Sequence, residues 1–268
     1  MKKIIIQTLI FSGIFFGLWF ALSHLHLTEH FRVKALSKST EEKLGNVVID
    51  YIKKSNQQID SDSIIFILNR IKGRICRYNN IDSTTIKLYL FKNKEVNAFA
   101  LPGRNMVLYS GIIHEAENPE ELASVMAHEF AHMEHRHVVK KLTKEFGVSM
   151  LMVLAGGETG TQIVKELFKI ISSTSFDRQM EREADSAAVG YMIKAYIDPQ
   201  HFSDMLFRIS HGKADVPEHF QWISTHPETK ERIETIIQLG KNHPVQPFGI
   251  ISDSSWNYLK RNAEGVGN

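Results

Sequence analysis

The sequence predicts an α+β fold, mainly helical, with a small antiparallel sheet beside a histidine-bearing helix. Three observations carry that reading. Beyond Gly111, apolar residues recur at helical spacing almost to Gly240. Upstream, three short β-rich runs at residues 85–91, 96–101 and 105–109 are punctuated by turn signals, with Pro102-Gly103 between the last two. Finally, a chain of 268 residues and 43% hydrophobic composition is large enough to bury a substantial core.

The elements follow in order. Lys2 and Lys3 precede nineteen uncharged residues, 4–22, which as a helix would span roughly 28 Å, close to the hydrocarbon thickness of a bilayer. Residues 1–26 therefore read as a retained signal anchor or a cleaved signal peptide, Ala21-Leu22-Ser23 being a passable cleavage site. With the two lysines held inside, either reading sends the remainder across the membrane. Residues 27–84 form a helical N-terminal segment, with Leu44, Val47, Val48, Tyr51 and Ile52 at helical spacing, read as two helices. Residues 85–240 carry the sheet and the chemistry. The apolar run 148–155 is too short to span a bilayer and reads as core packing or as a shallow membrane contact. Residues 241–268 read as a peripheral tail.

Composition narrows the function. Thirty-two Lys and Arg against thirty Asp and Glu leave a formal charge of +2, too weak a field to argue for nucleic acid. Cys76 is the one cysteine, so no intramolecular disulfide and no thiolate cluster can form, and any metal must be held by His, Asp or Glu. Of thirteen histidines, five fall at 114, 128, 132, 135 and 137.

From Asn118 the chain reads N-P-E-E-L-A-S-V-M-A-H-E-F-A-H. Asn118 is a good N-cap, Pro119 suits the first helical position, and Glu121 completes a capping-box arrangement. A helix therefore starts just before the histidines, and His128 and His132 stand one turn apart on one face, able to converge on one ion. H-E-x-x-H on a helix is the arrangement of zinc proteases, with Glu129 as general base. Catalytic zinc commonly takes two His and one carboxylate, leaving a position for water. In F-D-R-Q-M-E-R-E-A-D, Glu181 and Asp185 share a helix face. Glu181 is the candidate third ligand and Asp185 the group that orients a ligand imidazole, while Glu183 points elsewhere; periodicity alone is equally compatible with a solvated acidic helix paired to Arg178 and Arg182.

H-E-F-A-H-M-E-H-R-H, then E-R-E-A-D, then T-H-P-E-T-K-E-R-I, in that order, resemble the membrane-linked zinc peptidases that include HtpX, BepA and the CAAX prenyl endopeptidases. The likeness runs over about residues 85–237 and includes N-A-F-A-L-P-G, similar to the family's strand and turn beside the active-site cleft. It implies a gluzincin-type metalloprotease core, one Zn2+ per subunit on His128, His132 and Glu181, Glu129 in catalysis, and substrate alongside Asn97, Ala98, Phe99 and Ala100. It also implies that His226 lies near the metal, either blocking its open position or donating to the developing oxyanion. Two departures stand out: Asp177 replaces a frequent Ser, and no tetratricopeptide array follows.

The expected activity is peptide hydrolysis, Glu129 taking a proton from the attacking water and delivering it to the leaving amine. Expected substrates are unfolded or misfolded envelope polypeptides, added as an extra strand to the sheet edge, in a periplasmic setting. The rival reading is a zinc-stabilised periplasmic chaperone or assembly factor with latent or no proteolysis.

Overall fold

The structure, a computed structural model, describes residues 11–17, 36–156, 160–211, 221–227, 230–241 and 248–263. Most of the apolar segment 4–22, on which the anchor expectation rests, lies outside the described residues. Among those described, no helix is long and apolar enough to cross a membrane.

Helices α1 (Lys38–Ser55) and α2 (Asp62–Tyr78) match the two expected upstream of the sheet. Ser37 caps α1, its hydroxyl accepting the Thr40 N–H at 3.1 Å. Between them lies the two-residue strand β1 (Gln57–Gln58); then come β2 (Lys87–Lys92), β3 (Ala98–Leu101) and β4 (Asn105–Tyr109). The remaining helices are α3 (Ser110–Glu115), α4 (Pro119–Glu134), α5 (His137–Ala155), α6 (Thr161–Ser173), α7 (Arg178–Lys194), α8 (Gln200–His211), α9 (Gln221–Thr225), α10 (Lys230–Lys241) and α11 (Asp253–Asn262).

The sheet corrects one expectation, because it is mixed rather than antiparallel. Its order is β1-β2-β4-β3, with β2 and β4 parallel and the other pairs antiparallel. Alternate residues explain this. Leu90, Met106 and Leu108 face one core, packed by α2, α4 and α8, whereas Phe91, Val107 and Tyr109 face a second, packed by α1, α5 and α6. β4 is apolar on both faces and takes a strand on each side, leaving the four-residue β3 at the edge. The β3–β4 turn is tight: Gly103 has φ +73°, and a Cβ on Gly45 of α1 would sit 2.1 Å from the Pro102 carbonyl oxygen. Both glycines let α1 close over the turn.

In the C-terminal stretch, residues 253–262 form α11. α11 buries Trp256 and Leu259 in the first core, and Lys260 donates to the carbonyls of His114 and Ala116, both at 2.6 Å. Its apolar pair needed that cover. The 148–155 run is split: Leu151 and Leu154 are buried, Met152 and Val153 exposed.

Candidate metal centre

α4 begins as its sequence dictates. The Asn118 side chain accepts the Glu121 N–H at 2.9 Å, and Glu121 Oε2 accepts the Glu117 N–H at 2.7 Å, one residue earlier than a standard capping box. α4 is buried along almost its whole length, so His128, Glu129 and His132 lie inside the protein. α7 crosses beside it, its N-cap supplied by Asp177, whose carboxylate accepts the Met180 N–H at 2.9 Å. An acid serves there as well as the serine expected from the resemblance. Glu181 then falls in the first turn of α7, where the helix dipole favours a carboxylate.

Four donor atoms converge. His128 Nε2 lies 3.0 Å from His132 Nε2 and 3.5 Å from Glu181 Oε2, and His132 Nε2 lies 3.5 Å from Glu181 Oε1. His226 Nδ1 is 3.1 Å from His128 Nε2 and 2.9 Å from Glu181 Oε1. Ligands bound to one zinc-sized ion at about 2.0–2.1 Å stand about 3.3 Å apart along a tetrahedron's edges, so this set fits a metal with His226 in the fourth position. Charge fits too. Burial pushes His132 and His226 down to about 4 and lowers His128, keeping the imidazoles neutral. Burial pulls Glu181 upward, but His226, His132 and His128 together hold it well below the usual carboxylate range. Neutral imidazole and ionised carboxylate are the forms that bind metal.

Behind these ligands stands a second layer. His128 Nδ1 is 3.1 Å from Asp185 Oδ1, and Arg232 clamps both Asp185 oxygens, Nε to Oδ2 at 2.7 Å and Nη2 to Oδ1 at 2.8 Å. Arg232 Nη1 also lies 3.0 Å from Glu181 Oε2 and donates to the carbonyls of His226 and Pro227 at 3.1 and 2.9 Å. Burial raises the Asp185 carboxyl, but Arg232 and His128 outweigh it and the net shift is downward.

Glu129 is held at both oxygens. The Trp222 indole N–H donates to Oε1 at 3.0 Å and the Ala100 backbone N–H to Oε2 at 2.9 Å, with His226 Nε2 3.4 Å away. Burial raises this carboxyl to about 8, against the pull of those two donors. The expected substrate strand is thus present but engaged. Asn97, Ala98, Phe99 and Ala100 are all buried, the Trp222 backbone N–H donates to the Val96 carbonyl at 3.0 Å, and Phe99 turns its ring toward Tyr109 and Phe168. α9 thus lies against Val96, two residues before β3, and Glu129 occupies the Ala100 N–H at the sheet edge. A cavity of about 600 Å³, lined partly by Phe176, Arg178, Glu181, Asp185 and Arg232, adjoins the cluster.

The structure brings His128, Glu129, His132, Glu181, Asp185 and His226, all singled out in the sequence, into one cluster. Sequence reasoning missed Trp222 and Arg232. Trp222 stands four residues before His226, the spacing of one helix face, and Arg232 lies within T-H-P-E-T-K-E-R-I, so both had a local signal. Cys76 is buried, its thiol pushed up to about 11 by burial, and takes no part.

The model of the family described as Peptidase family M48 matches residues 68–239. The chain is 29% identical over 171 residues to the mitochondrial metalloendopeptidase OMA1 of Schizosaccharomyces pombe, covering 63% of this chain and 51% of that protein. It is 25% identical over 247 residues to the beta-barrel assembly-enhancing protease of Escherichia coli K12, covering 87% of this chain and 49% of that protein. The chain spans about half the length of the curated relatives it matches.

Proposed function

The chain belongs to peptidase family M48, and from that premise we propose that it is a zinc-dependent endopeptidase. The observation that carries this is the convergence of His128, His132 and Glu181 beside a carboxylate, Glu129, that is positioned by two hydrogen-bond donors. Zinc held by those three residues would polarise a water and the scissile carbonyl. Glu129 is placed to take a proton from the attacking water and would pass it to the leaving amine.

The substrate class we propose is unfolded or misassembled cell-envelope polypeptide, bound as an extended strand against β3. Backbone groups of a sheet edge select for conformation rather than sequence. Supporting this, the E. coli relative's name ties that protein to β-barrel assembly, and the two lysines followed by residues 4–22 suit export with a membrane tether or a cleaved signal. His226 is the latch on this site: its Nδ1 lies where a fourth ligand belongs, and α9 is tied to Val96, two residues before the strand that substrate would use. The same enclosure supports a second reading, a zinc-stabilised assembly factor whose proteolysis is latent.

Cleavage of unfolded casein by the full chain, with and without chelator, tests the proposal. Chelator-sensitive cleavage is expected, and Glu129→Gln should keep zinc while losing turnover by at least about a hundredfold. Full activity in Glu129→Gln rejects the mechanism; zinc binding without any cleavage favours the assembly factor.

A further inference from the structure

A fourth histidine backs the site, outside the residues assigned so far. His137 is fully buried, and its Nδ1 lies 3.0 Å from His132 Nδ1. On a continuous helix, residues five apart point about 140° away from each other. The contact exists because α4 stops at Glu134 and Arg136 takes a left-handed conformation, φ 54° and ψ 33°, before α5 begins. Such a conformation in a non-glycine residue costs about 1–2 kcal/mol. It is held by the Arg136 backbone N–H donating to the Met133 carbonyl at 3.0 Å, and by its guanidinium, which reaches the Leu36 carbonyl at 3.2 Å and the Glu41 carboxylate. The far nitrogen, His137 Nε2, lies 3.2 Å from Glu183 Oε2, and Gln179 Nε2 donates to Glu183 Oε1 at 2.9 Å.

Only one neutral proton arrangement satisfies this chain when His132 serves a metal. His132 Nε2 faces His128 and Glu181 and must present its lone pair, so its proton sits on Nδ1. That proton can only be given to His137 Nδ1, which leaves the His137 proton on Nε2, directed at Glu183. We propose that His137, backed by Glu183, is a positioning residue that fixes the tautomer and ring orientation of His132, as Asp185 backed by Arg232 does for His128. This rests on the metal-ligand reading above.

His135, His137 and Glu183 also bring three donor atoms together, and His135 stacks on His137 with ring centroids 5.3 Å apart. A second cation there would need the His137 Nε2 lone pair while Nδ1 already accepts from His132. That demands an imidazolate, so the geometry favours the relay over a second metal site.

The test is zinc affinity of the full chain, measured by chelator competition, for wild type, His137→Leu, His137→Asn and Glu183→Ala. Loss of such an outer partner lowers metal affinity roughly 10–100-fold, and this is expected of His137→Leu. His137→Asn should recover most of the loss, because its Oδ1 falls near the Nδ1 position and still accepts. A packing role predicts the reverse order, since Asn fills less of the pocket than Leu. Glu183→Ala, on a partly exposed side chain, should weaken zinc several-fold, and decides the matter if the His137 variants fail to fold. Unchanged affinity in His137→Leu or Glu183→Ala, or His137→Asn no better than His137→Leu, overturns the relay alone. So does a wild type that takes two zinc ions, one of them lost in His137→Leu with the other's affinity untouched. A wild type that binds no zinc overturns the metal-ligand reading together with the relay.

Discussion

Replacing Arg232 with Ala should be among the most damaging single changes outside the metal ligands. The side chain is buried and faces two carboxylates, bidentate on Asp185 at 2.7 and 2.8 Å and 3.0 Å from Glu181, besides two backbone carbonyls. Its removal leaves Asp185 and Glu181 buried within one cluster without the guanidinium that pairs both. Removing one partner of a buried ion pair typically destabilises by about 3–5 kcal/mol, because the remaining charge stays desolvated. For a chain of this size each kcal/mol moves the melting temperature by about 2–4 °C, so a fall of about 6–20 °C is expected. The assay is urea denaturation in chelator followed by far-ultraviolet circular dichroism, with the slope compared to confirm that the same surface unfolds. Arg232→Lys should recover little, since an ammonium cannot span both Asp185 oxygens as the guanidinium does. Adding Asp185→Asn to Arg232→Ala should recover about 1–3 kcal/mol by deleting one uncompensated charge, making the two changes strongly non-additive. Arg232→Ala lying within about 1 kcal/mol of wild type would show that the clamp contributes little and refute the reasoning.

Three further outcomes follow from the site. Glu181→Ala should weaken zinc and abolish proteolysis, because two imidazoles alone rarely hold a catalytic ion; unchanged zinc affinity would transfer the third-ligand role to another residue. His226→Ala should raise basal casein cleavage if the residue is a latch, whereas a fall in turnover at constant zinc content would assign it to the oxyanion instead, and identity with wild type would remove it from the site. Lys141 donates to the Thr174 carbonyl and lies 4.2 Å from the Phe176 ring, and burial lowers it from 10.5 to about 8. At this group the unfolded chain therefore binds more protons between about pH 8 and 10.5, so Lys141 should add about 3 kcal/mol of stability across that window, against the opposing loss from the buried Cys76 thiol; wild type minus Lys141→Met should rise by that amount, and a difference that does not change with pH would acquit Lys141.

Local rules carried most of the helices and the pairing of His128 with His132, while Glu181 and His226 were assigned through the family resemblance. Asn118, Pro119 and the one-turn spacing of His128 and His132 are properties of a single helix, and the hairpin turn at Pro102-Gly103 is chemistry of two residues. The placement of β4 between β2 and β3 depends on burial of both sheet faces by distant helices, which no short window encodes. The His132–His137 contact failed to be legible for another reason. It requires a helix break at Arg136, where neither Gly nor Pro announces one, and it is held by Leu36 and Glu41 nearly a hundred residues upstream. Glu183 was read as pointing away from the metal because it does; its partner is the residue behind the ligand.

One short segment, residues 221–227, touches everything the reaction needs. Its backbone is tied to Val96 just before β3, its indole holds Glu129, its imidazole holds Glu181 and His128, and its last two carbonyls hold Arg232. If a movement that frees one of these contacts loosens the others, then exposure of the strand, release of the base and vacating of the fourth position would form a single two-state event. Substrate and enclosure then compete for one equilibrium, and observed affinity scales with the open fraction: with about 1% open, an intrinsic dissociation constant is weakened about a hundredfold. A chain presenting many extended segments at high local concentration overcomes that deficit where a folded protein, offering few, does not. Selectivity for misassembled polypeptides would then reside in the threshold for opening, with the cleft itself free to be indifferent to sequence.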